Sequence, residues 1–293
     1  RDSSKAPWRN RTDKKQPFFS VFNFVGCHES GIASKSKYQS VTSKLKPAHR
    51  QIAGQLSTFP PYYPDTPIAR EDWKRNYELI TAMDLWVGKL LSQLEEDGLL
   101  DSTLVVFWSD HGIGLPRAKR WLYDSGTRIP LIVSAPTGIK IEGLLPKGST
   151  NDRLVSSIDF SATVLNLAGV ERPEAMQGEA FLGPQSSRPR KYVFGARDRM
   201  DERYDIIRMV RDKQFKYLRN YEPLKGYYQY MNTPEKGATM AEMRALFRKG
   251  ELEGIPARYF ADEKPVEELY DTENDPHEVH NLAFDPSYQG VLQ

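Results

Sequence analysis

The clearest candidate for chemistry is the segment 109–112, Ser-Asp-His-Gly, which directly follows the apolar run 103–108. A carboxylate and an imidazole at the end of a buried strand can bind a divalent metal, the carboxylate through a hard oxygen. Ligand sites in open α/β sheets lie outside the carboxyl ends of strands, so the position favours such a site. The alternative is an ordinary turn, because Asp-His-Gly is also good turn chemistry. Asp110 and His111 are therefore the candidate metal ligands.

A basic segment follows this motif. Between residues 117 and 128 there are four cations and a single acid: Arg117, Lys119, Arg120, Arg128 and Asp124. A metal next to a lysine suits a tetrahedral oxyanion, because both neutralise charge on the transferring oxygens. The alternative is that most of these cations are solvated surface charges. We expect Arg128 to be such a surface charge and consider the same interpretation for Arg117.

His28 is the third candidate, and it follows the run 18–25, FFSVFNFV. That run is rich in aromatic and β-branched residues and predicts a buried strand. If this strand and the strand before Asp110 are parallel, His28 and Asp110 lie at the same edge of the sheet. A histidine there could protonate a leaving-group oxygen, although a lone histidine is more often structural.

The elements that would position these residues follow a recognisable order. Residues 66–98 predict a long helix with an N-cap threonine, a proline at the first helical position and a glycine after the end. Strands at 103–108 and 129–134 and a helix at 156–168 come next, whereas residues 30–64 are polar and predict a long surface excursion. This order indicates an α/β architecture with a largely parallel sheet.

The character of the chain changes near residue 178. Residues 183–190 resemble a linker, and short strands at 192–196, 204–211 and 215–220 predict an antiparallel sheet, followed by a helix at 239–249. We therefore expect two domains, an α/β part at 1–182 and a smaller antiparallel subdomain at 183–293.

Composition excludes several classes of protein. The 293 residues carry 41 Lys+Arg against 39 Asp+Glu, a formal charge of +2, so no whole-protein attraction to nucleic acid or anionic membrane is expected. The single cysteine, Cys27, excludes an intrachain disulfide framework and a multi-cysteine zinc site. No apolar run approaches the roughly 20 residues needed to span a bilayer. Residues 1–15 contain no apolar segment typical of a signal peptide.

Taken together and in order, these pieces resemble the type I sulfatases of the alkaline phosphatase superfamily, in particular sulfamidase-like sulfatases. The resemblance extends from residue 17 to residue 283. The matching pieces are Pro17-Phe18-Phe19 with Phe24 and His28; residues 64–67 with Tyr77, Ile80, Met83-Asp84 and Val87-Gly88; residues 109–112 with Lys119, Tyr123, Gly126 and 130–133; Asp159 with Leu165, Ala168, Gly169 and Gln177-Gly178; and residues 268–271 with 274–276, Glu278 and 281–282.

The resemblance implies an alkaline-phosphatase-like fold and hydrolysis of a sulfate ester or N-sulfate, with a sulfated carbohydrate as the substrate. It implies that Asp110 is a calcium ligand and that His111 is a ligand or close to one. Lys119 would bind the sulfate and the leaving oxygen, and His28 would contact the scissile group and act as general acid. A periplasmic, secreted or lysosome-like location would also follow.

The sequence departs from this family at the nucleophile. Sulfatases use a formylglycine made from a Cys or Ser in a C/S-x-P/A-x-R motif, but Cys27 lies in Gly-Cys-His-Glu-Ser, and residues 187–190 have the wrong spacing. The adjacent pair of metal-binding aspartates is also missing. We therefore expect the chain to be the C-terminal portion of a sulfatase, with the nucleophile and the other metal ligands upstream.

Two alternatives remain open. One is a phosphodiesterase or phosphonate hydrolase of the same superfamily, and the other is an inactive, sulfatase-like binding module. For the sulfatase hypothesis, the charged segment with Arg197, Asp198, Arg199 and Glu202 is the candidate for contacting sugar, although such charges in a turn are often only solvated.

Overall fold

A long helix and a four-stranded sheet are the largest elements of the computed structural model, which describes residues 6–136 and 138–293. The helices are α1 Glu29–Ala33, α2 Lys35–Val41, α3 Pro67–Glu96, α4 Asp124–Thr127, α5 Asp159–Leu167, α6 Ala238–Lys249, α7 Gly254–Ala257 and α8 Gln289–Leu292. The strands are β1 Val105–Trp108, β2 Leu131–Ser134, β3 Val193–Met200, β4 Arg203–Arg211, β5 Phe215–Asn220 and β6 Glu267–Asp271.

Helix α3 begins and ends as its sequence predicts. The side chain of Thr66 accepts a hydrogen bond from the amide of Ala69 at 3.2 Å, and a proline occupies the first helical position. After the C-cap residue Asp97, Gly98 adopts a left-handed φ of 65°, which glycine takes at little cost. The helix therefore provides a rigid support about thirty residues long, and Leu79 in its middle is fully buried.

The predicted strand at 18–25 is absent. Residues 17–24 belong to neither a helix nor a strand, and a short 3₁₀ helix, Val25–Cys27, follows them. Burial alternates along this segment, since Phe19, Val21, Asn23 and Val25 are exposed and Phe18, Ser20, Phe22 and Phe24 are partly covered. The segment is therefore not fully buried as predicted, and no described strand lies beside it to form a hydrogen-bonded ladder.

The polar stretch 30–64 is also more structured than predicted. It contains α1 and α2 and two short 3₁₀ helices, Pro47–His49 and Ala53–Gln55. Three of its apolar side chains are buried in the main core: Ile32, Tyr62 and Tyr63. Because most residues of this segment are polar, its composition did not reveal that these three side chains belong to the core.

Strands β1 and β2 lie where the sequence predicts them, but they pair antiparallel. Val105 faces Ser134 and Trp108 faces Leu131. A parallel pair needs a crossover connection, usually a helix, that carries the chain back to the starting edge. Residues 109–130 make no such crossover and contain only the four-residue helix α4. The prediction of a parallel arrangement is therefore wrong for the two strands described in this part of the chain.

The C-terminal sheet is antiparallel in the order β3-β4-β5-β6, as expected for the predicted strands at 192–220. Strand β3 extends to Met200, with a register irregularity between Arg197 and Arg199. The segment predicted as a charged turn is therefore mostly strand, and the turn itself lies at residues 201–202.

The main hydrophobic core joins the two parts of the chain. It contains Ile32 and Leu79 from the N-terminal part, Trp121 from the basic segment, and Ile207 and Leu218 from the C-terminal sheet. The basic segment is thus packed between α3 and this sheet, whereas the division into domains at residue 182 stays a prediction. None of the described helices combines the length and the apolar character that crossing a membrane would require.

Candidate active site

Lys119 and His28, predicted separately from the sequence, lie side by side. The Nζ atom of Lys119 is 3.5 Å from Nε2 of His28. The His28 ring is about half exposed and the Lys119 side chain is mostly covered. An ammonium and an imidazole therefore meet at the surface of the described part of the chain, where both can reach a bound molecule.

A buried carboxylate that the sequence analysis did not single out holds this pair. Glu29 Oε1 accepts a hydrogen bond from Lys119 Nζ at 3.1 Å, and both carboxylate oxygens accept from Arg120, at 2.8 and 2.9 Å. Burial by itself raises the pKa of Glu29, but the hydrogen bonds and charges of Arg120 and Lys119 outweigh it and lower the pKa to about 2. Glu29 is thus a fixed negative charge at any ordinary pH.

Local backbone structure brings Glu29 to this position. It is the first residue of α1, a place where a carboxylate is favoured. Residue 114 lies so close to it that a Cβ there would clash with both Cα and Cβ of Glu29, so only glycine fits. Gly114 therefore allows the basic segment to approach α1 closely enough for Lys119 and Arg120 to reach the carboxylate.

The orientation of the His28 ring is set by the start of α1. Its Nδ1 accepts a hydrogen bond from the amide of Ser30 at 3.2 Å and lies 2.9 Å from the hydroxyl of the same residue. A neutral ring with Nδ1 as acceptor carries its proton on Nε2, the nitrogen that faces Lys119. Burial lowers the pKa of His28, and the charge of Lys119 lowers it further, while Glu29 opposes them. The neutral ring offers its Nε2–H to a leaving group as a hydrogen bond, whereas proton transfer requires the imidazolium form, whose acidity the lowered pKa increases.

The segment between β1 and β2 is closed by its own hydrogen bonds. The amide of Gly112 donates to the carbonyl of Gly126 at 2.9 Å, and the amide of Lys119 donates to the carbonyl of Ile113 at 2.9 Å. Arg120 adopts a left-handed φ of 84°, which is unusual outside glycine and is seen where the surrounding structure enforces it. The side chain of this residue is held by hydrogen bonds to Glu29 and Asp201.

Asp110 and His111 converge, but with few partners. Nδ1 of His111 lies 2.7 Å from the carbonyl of Gly112 and must donate to it, which leaves Nε2 as an acceptor 3.6 Å from Asp110 Oδ2. The Asp110 side chain is 84% exposed. Among residues 6–136 and 138–293 no group of three or more potential protein ligands surrounds a metal position. Since calcium takes six to eight oxygen ligands, these two donors fit only part of a coordination shell.

The other two cations of the basic segment behave differently from each other. Arg128 is exposed, as expected. Arg117 is not a solvated surface charge, because its guanidinium carbon lies 3.8 Å from the centre of the Tyr123 ring and it donates to the carbonyls of His277 and Glu278. Arg117 therefore attaches the segment to the C-terminal part of the chain.

Arg197 does not lie where a sugar contact requires it. The residue is only 3% exposed, and Nη1 lies 3.2 Å from Oδ2 of the buried Asp205. Its guanidinium stacks over the Trp121 ring with the carbon 4.1 Å from the ring centre. Burial lowers the pKa of Arg197. The prediction of an exposed position is wrong because residue 197 points inward from β3 rather than belonging to the turn.

The neighbours of Arg197 remain at the surface. Asp198 forms an exposed ion pair with Arg208 at 2.6 Å, and Arg199 Nε donates to the carbonyl of Asp201 at 3.2 Å. Glu202 accepts a hydrogen bond from the amide of Asn232 at 2.6 Å. The substrate-binding role of Asp198 and Arg199 stays a prediction.

In this same turn, Asp201 is the residue that reaches the candidate site, since its Oδ2 accepts from Arg120 Nε at 2.7 Å. No sequence signal singles out Asp201. Glu29, in contrast, could have been found from the sequence. The two cations at 119 and 120 require a negative partner, and Glu29 directly follows the candidate His28.

Cys27 is unsuited to act as a nucleophile. Its thiol donates toward the carbonyl of Leu79 at 3.3 Å and lies 3.9 Å from the sulfur of Met83. Burial raises the pKa of the Cys27 thiol to about 11, so the thiolate is scarce near neutral pH. The structure agrees with the sequence on this point, because Cys27 is placed as a small core residue.

A second buried ion-pair cluster anchors the far end of the basic segment. Lys216 Nζ lies 2.5 Å from Asp124 Oδ1 and 2.9 Å from Glu278 Oε1, and Arg211 makes two hydrogen bonds to Asp124, at 3.0 and 3.1 Å. Glu278 also accepts from the amide of Asp124 at 2.6 Å. Because Lys216 and Arg211 lie on the C-terminal sheet, that sheet helps to hold the segment that carries Lys119.

Comparison with known proteins places these features in a family. The profile of the Sulfatase family matches residues 8–170, and that of the C-terminal region of N-sulphoglucosamine sulphohydrolase matches residues 115–230. In fold, the chain is similar to a candidate sulfatase, yidJ, from Bacteroides fragilis, with a TM-score of 0.61 at 23% identity over 98% of this chain and 53% of that one. The alkaline-phosphatase-like fold class is thereby confirmed, although β1 and β2 are antiparallel.

Two relatives extend this similarity along nearly the whole chain. An ulvan-active sulfatase of Formosa agariphila is 39% identical over 99% of this chain and 52% of its own length. Human N-sulphoglucosamine sulphohydrolase is 27% identical over 97% of this chain and 60% of its own length. The chain thus spans between half and two thirds of these relatives. Since the family profile covers more than half of the 293 residues, the chain belongs to the sulfatase family.

Proposed function

We propose that the protein hydrolyses a sulfate ester or N-sulfate, and that this chain supplies the groups that bind the sulfuryl oxygens and protonate the leaving group. The observation that carries the proposal is the placement of Lys119 Nζ 3.5 Å from His28 Nε2, beside a basic segment, in a chain of the sulfatase family. A fixed ammonium stabilises negative charge that develops on transferring oxygens.

In this proposal the two residues have separate roles. Lys119, held by Glu29, offers a hydrogen bond and a positive charge to a sulfuryl oxygen and to the departing oxygen or nitrogen. His28, in its imidazolium form, donates its Nε2 proton to that leaving atom, and the lowered pKa of the ring makes this form a stronger acid. Each step uses an atom that the described geometry leaves accessible.

A calcium ion and a formylglycine belong to the proposal only through the family. Asp110 and the free Nε2 of His111 are the atoms of this chain that would contact the ion, which when bound would polarise a sulfuryl oxygen. The 293 residues contain no C/S-x-P/A-x-R motif, and Cys27 is partly buried with its thiol directed to the carbonyl of Leu79, so the attacking group is not assigned to any residue of this chain.

A sulfated carbohydrate is the proposed substrate class. In support, one relative is named for activity on ulvan and another for N-sulphoglucosamine. The exposed residues Asp198 and Arg199 lie on β3, which leads into the turn residue Asp201 that binds Arg120, and we assign them to sugar contacts. A periplasmic, secreted or lysosome-like location is part of the same proposal.

The proposal is tested with the full-length protein on an aryl sulfate, on glucosamine N-sulfate and on an aryl phosphonate monoester, with calcium and after chelation. We expect sulfate or sulfamate turnover that Lys119→Ala lowers by about 100-fold or more, the scale for loss of one charge-stabilising donor. We expect Asp110→Ala to weaken calcium binding and to remove nearly all activity, with Asp101→Ala, at an exposed site, as the matched control. Faster turnover of the phosphonate than of either sulfur substrate would contradict the proposal.

A further inference from the structure

We propose that Glu29 is a positioning residue, which fixes the Lys119 ammonium beside His28 and keeps the site's positive charge low enough to favour a singly charged substrate group. The inference rests on the proposed function of the same site. It concerns a residue that neither the sequence motifs nor the family roles single out.

The position of Lys119 depends on Glu29 because this is the only carboxylate within ion-pair distance of its ammonium among the described residues. The Glu29 side chain is 7% exposed, so the pair is largely shielded from solvent. A lysine side chain is flexible, and its location is defined only where a partner holds it. With Glu29 in place, the remaining face of the ammonium is directed toward His28.

Glu29 also removes Arg120 from the substrate side. Two guanidinium nitrogens bind the Glu29 carboxylate and the third binds Asp201, and the Arg120 side chain is nearly buried. The bidentate geometry matches the planar fork of arginine and is among the stronger forms of ion pair. Of the two adjacent cations, Lys119 alone is left free to contact a ligand.

The charges of this cluster balance. Lys119 and Arg120 carry two positive charges, Glu29 and Asp201 carry two negative ones, and a neutral His28 adds none. Removing the Glu29 charge would give the cluster one net positive charge. By Coulomb's law that charge attracts a dianion twice as strongly as a monoanion at the same distance. Glu29 thus favours a sulfate monoester over a phosphate monoester dianion.

The test compares Glu29→Gln and Glu29→Asp with Glu71→Gln in the full-length protein. Glu71 is a matched control, because its carboxylate also binds two cations, Lys74 at 3.3 Å and Arg75 at 3.1 Å, but on the surface of α3. The substrates are an aryl sulfate and the corresponding aryl phosphate at pH 8, where the phosphate is a dianion. Native folding of each variant is checked by circular dichroism and thermal unfolding.

For Glu29→Gln we expect kcat/KM for the sulfate to fall by about tenfold or more, and the ratio of sulfate to phosphate kcat/KM to fall by about threefold or more. Glu29→Asp keeps the charge and should retain the wild-type ratio, and Glu71→Gln should change neither quantity. Glu29→Gln activity within twofold of wild type, or an equal loss on both substrates, would overturn the inference. An inactive wild type would instead reject the proposed function itself.

Discussion

Lys119 Nζ and His28 Nε2 lie 3.5 Å apart although 91 residues separate them in sequence. Neither residue reaches this position from the end of a parallel strand. His28 lies between a short 3₁₀ helix and α1, and Lys119 lies in a closed loop between two antiparallel strands. Glu29 joins the two, since it follows His28 directly and binds Lys119.

The dependence on the leaving group tests the role of His28. His28→Ala should lower kcat/KM on alkyl or sugar sulfates by about 100-fold or more and affect activated aryl sulfates much less, because only poor leaving groups need the proton. The measurement is a comparison of the two substrate types for wild type and variant. Equal losses on both would contradict the general-acid role and leave His28 with a binding role only.

The stability of the fold should depend on the buried Lys216. Lys216→Met leaves Asp124 and Glu278 facing each other without their shared cation, and we expect it to lower the free energy of unfolding by about 3–5 kcal/mol. Lys213→Met is the matched control, since Lys213 pairs with Asp152 at the exposed surface and should cost about 1 kcal/mol or less. Urea unfolding of both variants measures the difference, and similar values for the two would show that the buried cluster contributes no more than a surface pair.

Cys27 should be chemically inert in the folded chain. Burial raises its pKa to about 11, and alkylation requires the thiolate. Iodoacetamide at pH 8 should modify the native protein about 100-fold more slowly than the urea-unfolded protein, whose thiol has an ordinary pKa. Mass spectrometry of both samples over time gives the rates. Rapid labelling of the native protein would show that the thiol is accessible and would reopen Cys27 as a reactive residue.

Glu29 makes the stability of the fold sensitive to acid. Its pKa is lowered from 4.5 to about 2, so its ion pairs contribute stability above pH 4.5 and lose it as the pH falls toward 2. The difference in unfolding free energy between wild type and Glu29→Gln should therefore be constant above about pH 5 and shrink between about pH 4.5 and 2. Urea unfolding at a series of pH values measures it. A difference that stays constant down to pH 2 would mean that the carboxylate is already protonated or unpaired.

The sequence predicted the elements well where local signals agreed. The N-cap Thr66 and the glycine after α3 marked that helix, and the strands of the C-terminal sheet were predicted as short strands joined by tight turns. Strand pairing is different, because the direction of β1 relative to β2 depends on the path of the chain between them. Likewise, the aromatic and β-branched residues at 18–25 predicted a strand but could not reveal whether another strand lies beside it.

The site was predicted only in part, for a related reason. His28 could be identified because it follows an apolar run, and Lys119 because it lies in a basic segment next to the candidate metal ligands. Glu29 and Asp201 act by neutralising a neighbour, and which carboxylate meets which cation depends on tertiary structure. The predicted strand ended at residue 196, which left Arg197 in an exposed turn. Strand β3 continues through residue 197, and the alternation of side chains along a strand directs this one to the interior.

The pairing of Trp108 with Leu131 brings together the two ends of the segment that carries Asp110, Lys119 and Asp124. A hydrogen bond from the amide of Gly112 to the carbonyl of Gly126 also joins the two sides of this segment. The segment is therefore a loop whose two ends are held together. The proposed metal ligand Asp110 and the proposed sulfate-binding Lys119 both belong to this one loop.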